Sequence, residues 1–345
     1  MRYDFLVVGA GPAGATTAYV LSEGGAKVLL IDTKRSPGVP VQCAEFVPAQ
    51  LIHRFPSFFP PDSIAQRVSD MIHFTPWGET VVMGSQGAVL HRMKFDARIV
   101  ELARKSGAEL RLRTRFLGFE DGHVWLEHID TRNRYRVRAS TVVGADGPRS
   151  KVARLTGEYT KTFLATAQLT MPLTRPIGDL LIYFRDYIPG GYGWIFPKGE
   201  VANVGVGIDT SYSVGVMEVL REFVREVVAL GVVKKKILGR TGGWIPAEGV
   251  KAPVRKRVLL VGDAGGFCHP ITGGGIANAV YTGAMAGEAL LSGSPEDYEE
   301  EVLDVFGDTL RRAALKRVKY MKSWEDLSFI IPRTWIAFEE YWKED

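Results

Sequence analysis

Residues 5–32, FLVVGAGPAGATTAYVLSEGGAKVLLID, constrain the fold of this chain more than any other stretch. Phe5, Leu6, Val7 and Val8 make an apolar run suited to a strand buried on both faces, and the run ends directly at Gly9, Gly11 and Gly14. Gly9 permits a tight turn, Gly11 lets the backbone approach a pyrophosphate, and Gly14 lets the following helix lie flat on the strand. Helix formers fill residues 15–21, and Glu23, Gly24 and Gly25 close the helix. Residues 27–31 read as a second buried strand ending at Asp32, eighteen residues past Gly14, where an acidic side chain meets a ribose hydroxyl pair. A glycine loop alone is weak evidence. Strand, loop, helix, strand and acid in that order predict a dinucleotide-binding βαβ unit whose helix N-terminus faces the phosphates.

A chain of 345 residues with 46% hydrophobic and 24% charged residues can hold a large core, and its length favours two domains over one. A formal charge of +4 is too small to call for nucleic acid as a partner. The two cysteines, Cys43 and Cys268, lie far apart without metal-ligand spacing, so neither a disulfide scaffold nor a metal site is expected and a reducing cytoplasm fits. The first residues run straight into the buried strand, leaving no room for a signal peptide. No apolar stretch is long enough to span a bilayer.

Beyond Asp32, residues 33–45 form a Pro/Gly-punctuated loop carrying Cys43, and prolines break residues 46–66 into short helical turns at most. Strands are expected at 71–75 and 80–83, then an amphipathic helix at 97–105 with Asp96 as its N-cap. Residues 108–120, 124–128 and 135–139 alternate like a meander, and a separate short strand at 141–144 ends at the turn Asp146-Gly147. Long aromatic strands at 180–184, 192–196 and 202–208 look antiparallel. A buried strand at 257–261 opens onto Gly262-Asp263 and the loop that ends in Gly273, Gly274, Gly275 and Ile276, with a helix at 276–291. The expected architecture is α/β: a Rossmann-like domain (1–70, 88–155, 252–295), an inserted antiparallel β-sheet substrate domain (71–87, 156–251) and a helical C-terminal tail (296–345).

The glycine loop, Arg92, Asp146-Gly147 and Gly262-Asp263, in that order, resemble the flavoprotein monooxygenase and reductase superfamily with the para-hydroxybenzoate-hydroxylase-like fold, over about residues 1–290. That resemblance implies FAD: Gly9, Gly11, Gly14 and Asp32 on its ADP half, Arg92 and Asp146 near the pyrophosphate, and Asp263 on pyrophosphate or ribityl. Gly273, Gly274 and Gly275 offer N–H groups free of side chains at a helix N-terminus, which favours negative charge on a reduced flavin ring. Within the superfamily, GYGWIFPK at 191–198 resembles the Y-x-W-x-F-P signature of geranylgeranyl reductases, and PITGGGI at 270–276 resembles their flavin loop. The resemblance implies reduction of isolated C=C bonds in an isoprenoid chain of a lipid or its precursor, with electrons from an external donor, ferredoxin or an NAD(P)H system.

Tyr192, Trp194 and Phe196 fall at period two, so their rings share one strand face that can wall an apolar cavity or pack the sheet on its own domain. Cys43 stands where archaeal members of the family resemble this chain in carrying a cysteine near the flavin, although Ala44-Glu45 replaces their usual glycine-containing continuation. Its thiol, the Tyr192 hydroxyl and His269 are the candidate proton donors, and a small inert cysteine is an equal reading of Cys43. A basic stretch at 311–322 precedes the aromatics Trp324, Phe329, Trp335, Phe338, Tyr341 and Trp342, a pattern that suits either peripheral contact with an anionic membrane or docking on the core. Two other activities stay open. An oxygen-using monooxygenase or halogenase uses the same flavin motifs, although halogenases carry W-x-W-x-I-P. A non-catalytic flavoprotein passing electrons to a membrane partner is the other.

Overall fold

The computed structural model describes residues 1–343, so the last two residues of the expected tail lie outside the described residues. Strand β1 (Arg2–Val8) runs into helix α1 (Pro12–Glu23) and returns as β2 (Val28–Ile31), paired in parallel with β1 from Phe5↔Val28 to Val8↔Ile31. All four residues of β2 are buried, as an apolar strand covered on both faces requires. The 46–66 stretch then holds more than turns: a short strand β3 (Phe46–Pro48), helix α2 (Ala49–Arg54) and the start of β4 (Ile64–Phe74). β4 and β5 (Thr80–Leu90) form a long hairpin that extends well past the expected strand pair.

Helix α3 (Arg92–Lys105) starts four residues before the expected cap. Asp96 is inside it, buried, and receives the Arg92 guanidinium through both carboxylate oxygens at 2.8 and 2.9 Å. An i,i+4 ion pair has replaced capping because burial at this point rewards a paired charge over a solvated one. Strand β6 (Glu109–Arg111) joins the parallel sheet beside β2, and Arg113, with φ +51°, breaks it from β7 (Thr114–Glu120). β8 (His123–His128) leads to β9 (Arg134–Gly144), which unites two expected strands. Its first half pairs antiparallel with β8, while its second half enters the parallel sheet beside β1.

A short helix α4 (Lys151–Thr156) leads to the second sheet: β10 (Phe163–Pro172), β11 (Leu180–Tyr183), β12 (Tyr192–Lys198) and β13 (Val201–Asp209), then helix α5 (Val216–Ala229) and strand β14 (Gly239–Pro246). Its order is β14-β10-β13-β12-β11-β4-β5-β3. The β11–β12 and β12–β13 pairs are antiparallel as expected, but β11 meets β4 in parallel across more than a hundred residues of sequence. The chain returns through β15 (Val254–Arg255) and β16 (Val258–Leu260), which lies parallel to β9 and completes the order β15-β16-β9-β1-β2-β6.

Helices α6 (Ile276–Ser292), α7 (Pro295–Tyr320), α8 (Leu327–Thr334) and α9 (Glu339–Trp342) finish the described chain. Trp324, Trp335 and Tyr341 are buried in a cluster with Phe184, Phe196 and Ile271, so most of the aromatic tail docks inward on the core and is not available to a membrane. Phe329 and Trp342 are its exposed rings. No helix among the described residues is long and apolar enough to cross a membrane.

Candidate active site

One cavity of about 470 Å³ lies between the two sheets, and both helix-opening loops border it. Gly11, Pro12 and Ala13 bring the N-terminus of α1 to its wall, and Gly274, Gly275 and Ile276 bring that of α6. Neither N-terminus receives a capping side chain. Two uncapped helix starts converging on one space leave free N–H donors and two positive dipole ends aimed at a ligand, the donor set a dinucleotide diphosphate needs.

The glycines show which contacts are structural. Gly9 has φ +106°, and a Cβ there would lie 2.2 Å from the Ala145 carbonyl oxygen, while a Cβ on Gly14 would lie 1.9 Å from the Gly9 oxygen. A Cβ on Gly11 would meet nothing within 4 Å, because this glycine faces the open cavity. The residues therefore fit FAD, whose diphosphate Gly11 and the α1 start would hold. Asp32 sits behind the loop, accepting the Ala10 N–H at 2.7 Å and the Lys34 N–H at 2.8 Å. It fixes the loop.

Other expected ligands take supporting positions. Asp146 accepts from the Ser150 hydroxyl (2.5 Å) and the Lys151 N–H (2.7 Å), so it braces the turn into α4 while its neighbours Ala145 and Gly147 line the cavity. Burial holds its carboxyl above the ordinary range despite those bonds. Gly262, with φ +56°, donates its N–H to Thr282 behind the wall. Asp263 does line the cavity, and burial raises it to about 6 against the opposing pull of Arg92.

The structure brings Cys43, Arg92, Tyr192, Trp194, Phe196 and Cys268 into the same cavity. Burial pushes the Cys43 thiol up; the Arg92 guanidinium and the Glu45 N–H, 3.2 Å from Sγ, oppose it. Cys268 is raised much further by burial and by Asp263. The Tyr192 hydroxyl donates to the Thr272 carbonyl at 2.5 Å, tying β12 to the glycine loop, and burial keeps it protonated. His269 is absent from the cavity lining. Its Nδ1 accepts from the Ile271 and Thr272 N–H groups at 3.3 and 3.1 Å, and burial lowers it to about 4, so a neutral imidazole shapes the loop from behind.

The structure adds three residues to the site that the sequence reading did not place there. Glu45 is buried with φ +77°, and its carboxylate accepts from Lys198 Nζ (2.5 Å), Asn203 Nδ2 (2.8 Å) and the Arg92 N–H (3.0 Å). Its position two residues after Cys43 was visible, but its burial was not. The positive φ falls on Glu45 and not on Ala44, which explains why a side chain is tolerated where a glycine is usual. Gln168 joins the Trp194 indole (2.9 Å) to the Cys43 carbonyl (3.1 Å). Trp335 reaches the cavity from the tail and packs edge-on against Tyr192 at 4.7 Å.

Residues 177–245 match the geranylgeranyl reductase catalytic domain, and residues 7–73 match the NAD(P)-binding Rossmann-like domain. The chain is 32% identical to the digeranylgeranylglycerophospholipid reductase of Methanocaldococcus jannaschii, over 93% of this chain and 84% of the relative. It is 33% identical to digeranylgeranylglycerophospholipid reductase 1 of Methanopyrus kandleri, over 99% and 100%. A geranylgeranyl bacteriochlorophyll reductase-like protein of Thermoplasma acidophilum superposes with a TM-score of 0.85 at 30% identity, covering 98% of this chain and 92% of that one. The myxobacterial chondrochloren halogenase CndH, at 18% identity and a TM-score of 0.75, shares the fold alone. With its glycine cradle, aromatic wall and cavity thiol, the chain belongs to the geranylgeranyl reductase family of FAD-dependent oxidoreductases.

Proposed function

We propose that this enzyme saturates isolated double bonds in the geranylgeranyl chains of a glycerophospholipid or its precursor. One observation carries the reading: the dinucleotide cradle, the ring face of Tyr192, Trp194 and Phe196, and the Cys43 thiol border a single cavity. FAD, held at the α1 and α6 N-termini, would supply the hydride, with electrons from an external donor, ferredoxin or an NAD(P)H system. The protein supplies the proton and a dry, oriented pocket.

Cys43 donates that proton to the alkene carbon that does not take the hydride. An elevated thiol stays protonated at neutral pH, as a general acid must, and the Arg92 guanidinium stabilises the thiolate left behind. Water restores the thiol. Tyr192 is a positioning residue on this reading, since its hydrogen is committed to Thr272, and His269 supports the glycine loop. The apolar rings hold the isoprenoid chain and exclude water from the reacting carbons.

The test is anaerobic. The FAD-loaded enzyme is reduced with dithionite and mixed with geranylgeranylated glycerophospholipid, and the recovered lipid is weighed by mass spectrometry. Reoxidation with pairs of hydrogens gained by the lipid is expected. A flavin that stays reduced until oxygen enters, followed by an oxygenated product, would replace the reductase with a monooxygenase. Rapid reoxidation by a quinone with no lipid product would make the chain an electron carrier.

A further inference from the structure

We propose that the open edge of the second sheet, residues 234–240, docks this enzyme on the surface of an anionic lipid bilayer beside the cavity mouth. The proposal rests on the isoprenoid-lipid reading above. After α5 the chain meets β10 at the Leu173↔Val233 bridge, runs along the end of that strand and enters β14, the edge of its sheet. The backbone is held: the Lys234 N–H donates to Pro172 and the Leu238 N–H to Thr170, each at 2.8 Å.

The side chains face outward. Lys234, Lys235, Lys236 and Arg240 are exposed, with Ile237 and Leu238 exposed between them at 45% and 51%. None of these four cations joins an ion pair or a side-chain hydrogen bond among the described residues. Two adjacent branched apolar side chains ringed by four uncompensated positive charges are complementary to a surface with anionic head groups above hydrocarbon.

The edge also leads to the site. Arg240 and Trp244 lie four residues apart on β14 and so share one face, and Trp244, 39% exposed, belongs to the cavity wall. The Arg149 guanidinium lies 4.3 Å from the centre of its ring, an aromatic and cationic pair of the kind found at head-group level. Between Arg240 and Trp244 on the same strand, Thr241 Oγ1 donates to the Val41 carbonyl and the Gly242 carbonyl accepts from Gln42 at 2.8 Å. The same strand therefore ties the exposed edge to the loop that carries Cys43. The substrate here is itself a membrane lipid on the proposed function, so the enzyme has to meet a bilayer surface.

The experiment uses full-length, FAD-loaded enzyme and co-sedimentation with vesicles of phosphatidylcholine, alone or mixed with phosphatidylglycerol. The native enzyme is expected to bind the mixed vesicles, to bind neutral vesicles weakly, and to be released by salt. The charge-reversed variant Lys234→Glu/Lys235→Glu/Lys236→Glu should lose affinity for mixed vesicles on the order of 100-fold. Ile237→Ser/Leu238→Ser should weaken binding to both kinds of vesicle. Both variants should reduce detergent-dispersed substrate at the native rate and vesicle-embedded substrate more slowly. Native enzyme that fails to bind mixed vesicles overturns the proposal, as does a charge-reversed variant that binds like native; the lysines then serve only to keep a sheet edge from pairing with other strands. Loss of binding in Phe329→Ser/Trp342→Ser with none in the charge-reversed variant also overturns it and moves the contact to the tail. Vesicle binding is read without turnover, so a native enzyme that binds membranes but reduces no isoprenoid fails the functional reading alone.

Discussion

At Cys43 a single thiol is acted on from two sides. Burial raises it, while Arg92 and the Glu45 N–H supply positive potential that stabilises the negative charge a departing proton leaves behind. Cys43→Ser is expected to lower the rate of single-turnover reoxidation by lipid roughly 100-fold to 10,000-fold, the usual worth of a positioned acid, with the flavin absorbance unchanged. The pH dependence follows from the sign of the shift. A donor must be protonated, and a thiol raised above 9.0 stays so through neutral pH, so the rate should hold level there and fall only in alkali. Glu45 is the support beneath this thiol. Glu45→Ala leaves Lys198 buried without its counter-charge and should cost about 3–5 kcal/mol in denaturant unfolding, whereas Glu45→Gln should retain the Arg92 and Asn203 contacts and cost less. Cys43 was legible in the sequence as a candidate; Glu45 was not, because a carboxylate in a polar loop reads as solvated until three donors from α3, β12 and β13 surround it.

Helix α1 shows how one element separates folding from binding. Gly14→Val places a side chain on the Gly9 carbonyl and should prevent the βαβ unit from forming, seen as loss of the cooperative thermal transition. Gly11→Val points into open space at φ −76°, so the same scan should show a folded protein that has lost its visible flavin absorbance. Glycine spacing, strand, helix and acid foretold this unit closely, since each is enforced within some thirty residues of chain. Elements whose boundaries depend on distant partners were harder to read. β9 is one strand shared by two sheets' worth of pairing, and no local pattern marks a strand that changes partners halfway. α3 extends back to Arg92 because Asp96 finds an ion pair inside the helix.

Across the whole molecule, the tail is tied to the site by Arg317 of α7. Its guanidinium pairs with Asp209, donates to the Gly190 carbonyl at 3.0 Å, and reaches the Pro270 carbonyl at 3.4 Å, joining the substrate sheet to the glycine loop. Arg317→Met strands a buried Asp209 and should cost about 3–5 kcal/mol, and Arg317→Met/Asp209→Leu should recover most of it in the same unfolding assay. His73 supplies an acid-sensitive contact between the β4–β5 hairpin and the tail. It stacks on Phe184, meets Trp335 edge-on at 5.8 Å, and burial lowers it to about 4 from 6.5. Its neutral form is the buried one, so its share of stability is complete above pH 6.5 and is lost as pH falls toward 4, by about 3 kcal/mol. His73→Asn should flatten the slope of stability against pH over that interval.

Local order along the chain was enough to predict the βαβ unit, a dinucleotide ligand and the aromatic strand face, because backbone sterics and strand periodicity act over a few residues; FAD and the candidate thiol rested on the family resemblance. The cavity itself required tertiary structure. Placing Cys43, Tyr192 and Gly273 around one space depends on β4 pairing with β11, β16 with β9, and a tail helix folding back to insert Trp335. The same packing turned the tail's aromatics inward and left residues 234–240 as an exposed basic and apolar edge, two outcomes that charge and hydropathy along the chain do not distinguish. Burial is a property of what lies opposite a side chain, and only the assembled sheets decide that.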